Sequence, residues 1–419
     1  MKKHKLPATV VALGLVSFFN DLASEMVTPF IPILIATVLG AGPLILGLVE
    51  GVADAAASFL KLWAGRYSDR KHGRRKQLMV FGYGLSNLAR PLLALVSSWG
   101  ALLLLRSLDR SGKGLRNAPR DALLADSAHS DIHGFAYGFH RAMDNAGALG
   151  GTLLAVAALS WLHWSVSEVI LWSALPGVLV LLVLIFGVRE APYPVAQQQK
   201  PAPLAWSFGC PAITSDLANV VCSPSRMASS SIKSFSELSH NMRRYLLVLV
   251  LFTFARVSES FILLRGNELG MSVVQLLLLW AVLNLTKSAA SLPGGRMADA
   301  FGKRRLSLIS WSGYAVSFVA IGLVEHGNAL WGCTVLYGLL AGLGEGSERA
   351  LISLYADERE RGTAFGWYHL AVGLSAIPAG VLFGAIWHYW NAGAAFLFAG
   401  TLALLCVLLL RFWSFNGPV

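Results

Sequence analysis

The chain has 419 residues, of which 55% are hydrophobic and 14% charged, with a mean hydropathy of +0.59 and a formal net charge of +11. A soluble globular domain carries about 25% charged residues, so this composition excludes a soluble protein and puts most of the surface against lipid. The excess of Lys and Arg sits mainly in connections between apolar runs, which makes it a topological signal and poor ground for a nucleic-acid partner.

In chain order, Lys2, Lys3 and Lys5 precede a first apolar run over 8–38. That run is too long for a cleavable leader and lacks a small-residue cleavage site, so none is expected. Further runs cover 43–64, 77–98, 100–122, 134–159 and 166–188, then 243–265, 273–294, 306–324, 328–355, 363–387 and 393–412. Each approaches the ~20 residues that a membrane helix needs. The runs are continuous where a barrel strand would alternate, which predicts twelve helices and an all-α integral membrane protein.

Basic residues orient them. Arg66 to Lys76, Arg189 to Arg244, Arg296 to Arg305, and Arg359 with Arg361 fall in even-numbered connections. The opposite connections, at Ala41-Gly42, Ser97 to Trp99, Trp161 to Ser167 and Glu325 to Asn328, carry almost no Lys or Arg. The positive-inside rule then predicts both termini in the cytoplasm.

Residues 190–242 interrupt the pattern with Pro192, Pro194, Pro201, Pro203, Pro211 and Pro224 and many serines. They read as a cytoplasmic linker between an N-terminal unit, 1–189, and a C-terminal unit, 243–419. The linker's end, Phe235 to Met242, has the composition of a short interfacial helix. Cys210, Cys222, Cys333 and Cys406 have no metal-site spacing, and neither a metal nor a cofactor is expected.

Two pairs of segments repeat. Gly65-Arg66-Tyr67-Ser68-Asp69 returns as Gly295-Arg296-Met297-Ala298-Asp299, each followed by Gly and a basic cluster: Gly73-Arg74-Arg75-Lys76 and Gly302-Lys303-Arg304-Arg305. Gly134 to His140 likewise parallels Gly362 to Tyr368, each opening the fifth span of its half. Both repeats stay on one side of the membrane, which means parallel six-helix repeats about an axis along the membrane normal.

On these residues the chain resembles the major facilitator superfamily over all but the linker. The superfamily's loop between spans 2 and 3 reads Gly-x-x-x-Asp-Arg-x-Gly-Arg-Arg. This chain matches with Gly65, Asp69, Arg70, Gly73, Arg74 and Arg75, with one extra residue at Lys71-His72. The second copy keeps Gly295, Asp299, Gly302, Lys303 and Arg304 but has Ala300 for the first basic residue. The stretch Arg106 to Leu123 resembles a bacterial subgroup of the superfamily with varied cargoes. The resemblance implies a transporter that works by alternating access between two pseudo-symmetric six-helix bundles, and a monomer is expected. His140 and Asp144, lacking a nucleophile or a metal set, make a weak catalytic site, so no enzyme is expected. Physically, Asp69 just past a helix end, among arginines and turn-forming glycines, reads as a gate latch.

Ionisable groups inside spans carry the functional argument, since each costs about 2.5–3.5 kcal/mol unless it meets water or a partner. On span 4, Arg106, Arg110, Lys113, Asn117 and Arg120 share a stripe roughly 80° wide, flanked by Asp109 and Asp121. Acidic partners stand on span 1 (Asp21, Glu25) and span 2 (Glu50, Asp54, with Lys61), while span 5 stacks His133, Tyr137, His140 and Asp144. The second half offers Arg256, Glu259, Asn284, Lys287, Tyr337, Glu345, Glu348 and Arg349.

Three readings follow: structural ion pairs, cations that bind an anionic solute while acids carry protons, or acids that bind metal ions or cationic drugs. The second makes Arg106, Arg110, Lys113, Arg256, Lys287 and Tyr337 substrate-binding candidates. It makes Asp21, Glu25, Asp109, His140, Asp144 and Glu259 proton-coupling candidates. The resemblance supports it at Arg110, in Arg110-Ser-Gly-Lys113-Gly114, a position associated with proton coupling in the superfamily. Drug–proton antiporters of the superfamily carry a proline-containing glycine motif in span 5, whereas this chain has Gly147-Ala-Leu-Gly150-Gly151. The expected cargo is therefore a small, anionic organic solute, extending to a ferric carboxylate–siderophore complex, with multidrug or metal-ion efflux as the alternative.

Overall fold

The computed structural model describes residues 6–70, 75–127, 133–189, 240–355 and 361–412. Every regular element among the described residues is helical. Span 1 is Ala8–Glu25, continued by Phe30–Ile33 and a wider turn at Leu34–Val38. Spans 2 to 5 are Pro43–Arg70, Arg75–Leu92, Trp99–Ser127 and His133–Ser160. Span 6 joins Val166–Trp172, Ala174–Leu182 and Val183–Gly187. Span 7 joins His240–Ala255 and Ser260–Glu268. Spans 8 to 12 are Val273–Phe301, Lys303–Leu323, Gly327–Tyr355, Arg361–Tyr389 and Ala392–Phe412. Among the described residues, ten helices are long and apolar enough to cross a membrane, and spans 4 and 10 fall short. Span 4 falls short because it carries the charged stripe.

Packing repeats from one half to the other. Span 2 lies on 4, 3 on 4, 1 on 5, 1 on 6 and 3 on 6; spans 8 on 10, 9 on 10, 7 on 11, 7 on 12 and 9 on 12 reproduce each pair. Between the halves, span 2 packs along span 11 and span 5 along span 8. Glycine permits the first contact: a Cβ on Gly51 would come within 2.7 Å of the Ala376 carbonyl oxygen. Gly147 and Gly151 similarly bring span 5 onto the backbone of Phe18 and Leu22 in span 1.

Spans 1 and 7 are both broken, at 26–29 and at 256–259, the same 230-position spacing that separates Gly65 from Gly295. Pro29 explains the first break, since it lacks an N–H and disfavours helix at the residue before it. Beyond the breaks the two short segments pack on each other. Phe30 and Ile31 share one apolar core there with Phe261, Ile262 and Leu264, which seals that end of the interface between the halves.

The repeated Gly-x-x-x-Asp endings differ from their expected geometry. Helix continues through Gly65, Asp69 and Arg70, and through Gly295 and Asp299, so neither aspartate lies past a helix end. The glycine that makes a turn is Gly302, with φ of 89°. The side chains of Asp69, Arg70 and Asp299, and all of Gly73, Arg74 and residues 190–239, lie outside the described residues. Neighbouring basic residues serve as helix caps. Lys76 Nζ donates to the Ile185 and Val188 carbonyls at 2.7 Å, at the end of span 6. Arg304 donates to Leu410 at 2.8 Å and to Arg411 at 3.2 Å, at the end of span 12. Carbonyls that have no partner within their own helix are thereby satisfied. Arg75 pairs with Asp126, tying span 3 to the end of span 4, and Lys303 stands at the first turn of span 9.

Candidate functional site

The stripe on span 4 divides by depth. Arg106 is 2% exposed; its guanidinium lies 3.1 Å from Glu50 of span 2 and 3.4 Å from Asp109. Arg90 of span 3 completes the cluster, with Nε 2.9 Å from Asp109 Oδ1 and a second nitrogen donating to Asn20 at 3.2 Å and to Asn87 at 3.0 Å. Arg116 is also buried, donating to Ser86 Oγ at 2.6 Å with its guanidinium 4.6 Å from the centre of the Tyr83 ring. These groups pin spans 1, 2, 3 and 4 together, and each charge has a counter-charge or a polar partner, as burial requires.

Lower on the stripe the side chains meet a cavity between the halves. Its volume is about 300 Å³, and Glu50, Asp54, Lys61, Arg110, Lys113 and Arg256 contribute to its wall. Arg110 stands 3.6 Å from Glu50 and 3.9 Å from Asp54, longer separations than the buried pairs. Lys113 is exposed on this wall, with no carboxylate within ion-pair distance among the described residues. Arg256 reaches the wall from the break in span 7, while its guanidinium pairs with Glu348 of span 10 at 2.8 Å.

The acids of span 1 are differently placed. Asp21 accepts from Asn20 Nδ2 at 2.8 Å, and Glu25 accepts from the indole N–H of Trp280 in span 8 at 2.5 Å. Neither has an ion pair among the described residues, although both lie within electrostatic reach of Lys113. On span 5, His140 Nδ1 lies 3.6 Å from Asp144, which also accepts from Ser17.

Within the C-terminal half, Lys287 Nζ donates to Glu259 Oε1 at 2.6 Å and the Tyr337 hydroxyl to the same oxygen at 3.0 Å. Trp311 Nε1 donates to Glu348 at 2.9 Å. These groups surround a second cavity of about 300 Å³ that also reaches Arg256.

A family model described as the Major Facilitator Superfamily matches residues 13–286 and 260–418, from end to end of the helical array. The chain belongs to the major facilitator superfamily. It is 30% identical over 415 residues to an uncharacterised transporter of this type from Methanocaldococcus jannaschii, covering 98% of this chain and 96% of the relative. Among solved structures, the nucleoside transporter NupG aligns with a TM-score of 0.74 at 14% identity, covering 96% of this chain and 99% of that one. The human organic anion transporter MFSD10 aligns with a TM-score of 0.63 at 18% identity, covering 96% and 99%. At such identities the likeness is one of fold, and a fold shared by carriers of unlike cargo names no cargo.

This superfamily member is thus a membrane transporter and not an enzyme, and its candidate residues fall into separate groups. Arg110, Lys113 and Arg256 line the cavity between the halves; Arg256, Lys287, Tyr337 and Glu259 line the one inside the C-terminal half. Arg106 and Asp109 line neither and hold each other in the N-terminal half. Glu25 meets Trp280 of the partner half, Asp21 bonds Asn20 on its own helix, neither has an ion pair among the described residues, and His140 and Asp144 pair on span 5. Sequence reasoning passed over Arg90, a lone basic residue in the last turn of the span 3 helix. Its cost of insertion is the signal that could have found it.

Proposed function

We propose that this superfamily member carries a small anionic organic solute in symport with protons, by alternating access across the bacterial inner membrane. In this reading both termini and the linker 190–242 are cytoplasmic, and units 1–189 and 243–419 rock about the bound solute as a monomer.

Lys113 is the observation that carries the reading. A cation exposed in a cavity inside a membrane protein, with no carboxylate at ion-pair distance among the described residues, favours an anion there. Glu50 and Asp54, the acids on the same wall, are already engaged by arginines. Phe261, Val257 and Val372 supply apolar wall for an organic body. A volume of about 300 Å³ stands at the low end for small-molecule sites. That size suits a metabolite, whereas a ferric carboxylate–siderophore complex requires the cavity to widen.

Asp21 and Glu25 support the coupling. An ion pair holds a carboxylate charged, whereas one without a cation can load and release a proton as its surroundings change. Uptake of labelled organic anions into proteoliposomes with an inward proton gradient tests the whole reading. Lys113→Gln abolishes accumulation and Lys113→Arg retains it; indifference to both Lys113→Gln and Arg110→Ala overturns anion binding.

The Glu25–Trp280 contact favours a second reading, efflux of a cationic drug or metal ion, since an acid beside an aromatic ring suits a cation. Drug resistance on expression that Asp21→Asn removes and Arg110→Ala spares would select it.

A further inference from the structure

We infer that the cavity inside the C-terminal half is a second compartment of the cargo site, and that the cargo is an aromatic acid bearing a hydroxyl or N–H on its ring. The inference rests on the anionic reading above and narrows it to a chemical class.

Arg256 lines both cavities, so they adjoin at this residue. Their chemistry differs. The first has more cations than carboxylates on its wall, and Lys113 there has no ion pair among the described residues. In the second the charges cancel in pairs, Arg256 with Glu348 at 2.8 Å and Lys287 with Glu259 at 2.6 Å. Five aromatic side chains, Phe252, Trp311, Tyr314, Tyr337 and Tyr368, make up most of the rest of its wall, with Ser310, Ala341 and Gly344 between them. A net-neutral, aromatic compartment of about 300 Å³ has no use for a second anionic group but suits a flat ring, which stacks or meets edges at such walls.

The wall is also rigid. Phe252 and Trp311 stack with ring centres 3.9 Å apart, and the Trp311 N–H is fixed on Glu348. Tyr314 meets Phe252 and Tyr337 edge-on at 5.6 and 5.3 Å. Protein interiors hold few voids larger than a water molecule, so a cavity of this size with braced walls is a built feature and not loose packing.

Two polar groups select the ring's substituent. The Tyr314 hydroxyl is buried at the wall and has no hydrogen bond of ordinary geometry among the described residues. Glu259 takes both Lys287 and Tyr337 on Oε1, and Oε2 has no other partner among the described residues. A carboxylate oxygen accepts only, so the ring must bring a donor. The acid end then lies toward Lys113 and Arg110, with the ring past Arg256.

Binding to the purified full-length transporter, followed by tryptophan fluorescence and calorimetry, tests this with four probes. They are 4-hydroxybenzoate, benzoate, cyclohexanecarboxylate and the neutral 4-hydroxybenzamide. Expected is an affinity for 4-hydroxybenzoate about tenfold above that for cyclohexanecarboxylate, with benzoate between them. Tyr314→Phe, the mildest change, brings 4-hydroxybenzoate down toward benzoate, and Trp311→Phe serves as a second variant that keeps the ring stack. Equal affinity for aromatic and cyclohexane acids overturns the aromatic compartment and leaves the anionic reading standing. An unchanged ratio in folded Tyr314→Phe overturns the compartment in the same way. Binding of 4-hydroxybenzamide as tight as that of 4-hydroxybenzoate, indifferent to Lys113→Gln, overturns the anionic reading and this proposal with it.

Discussion

Arg106 of span 4 and Glu50 of span 2 meet at 3.1 Å with their side chains 2% and 3% exposed, and Glu50 is at the same time 3.6 Å from Arg110 on the cavity wall. Glu50 therefore joins the buried charge cluster of the N-terminal half to the surface that meets cargo. Glu50→Gln leaves Arg106 with Asp109 as its one counter-charge, which Arg90 already shares. Removing one partner of a buried pair costs about 3–5 kcal/mol. The variant is expected to melt well below the parent in detergent, and Glu50→Gln with Arg106→Gln to recover much of that loss. A double variant as unstable as the single one would mean that the loss does not come from an uncompensated charge on Arg106.

Close approach of spans 2 and 11 gives the second prediction. A Cβ at Gly51 would meet Ala376 O at 2.7 Å and Ile377 Cα at 2.8 Å, both backbone atoms that cannot rotate away. Gly51→Val is expected to cost about 1–3 kcal/mol through overpacking and to lower transport. Gly84 on span 3 is the control, since a Cβ there meets nothing within 4 Å. Gly84→Ala is expected to leave transport unchanged and to hold or raise the melting temperature, because Ala is the better helix former.

How much of this was legible in the sequence differs from residue to residue. The helices were, because apolar runs of spanning length leave the backbone no alternative in lipid. The shared face of Arg106, Arg110 and Lys113 was too, because it is an angular property of the helix itself. Depth was not. Whether a charge on that face meets Glu50 or a cavity depends on where span 2 packs, and no helical period encodes that. The break at 26–29 carries Pro29, but 256–259 carries no proline, and only transfer along the repeat spacing could have found it. Asp69 and Asp299 read as loop residues because glycine and charge suggest a turn, yet helix runs through both.

Lys76 and Arg304 give a prediction about the ends of spans 6 and 12. Each donates to two carbonyls there, and hydrogen bonds from charged donors contribute about 1.5–3 kcal/mol when partly shielded from water. Lys76→Ala is expected to speed hydrogen exchange at the end of span 6 while sparing span 12, and Arg304→Ala to do the reverse. A pure topology signal would show neither effect, since Ala at either site would then leave local exchange at the parent rate.

Glu25 and Trp280 separate coupling from locking. The indole N–H donates to Glu25 across the two halves at 2.5 Å, so any change at Glu25 touches both a titratable group and a contact between the halves. Glu25→Gln keeps an acceptor for the indole but removes the titration; Glu25→Leu removes both. If Glu25 carries the proton, Glu25→Gln loses accumulation driven by a proton gradient while solute exchange between equal pools continues. Glu25→Leu then loses accumulation as well and, without the hydrogen bond to Trp280, alters the exchange rate. If the residue is only a lock, Glu25→Gln accumulates solute like the parent and Glu25→Leu alone is impaired. Parallel measurements of gradient-driven uptake and of counterflow in the same proteoliposomes decide between them, and the coupling role of Glu25 predicts the first pattern.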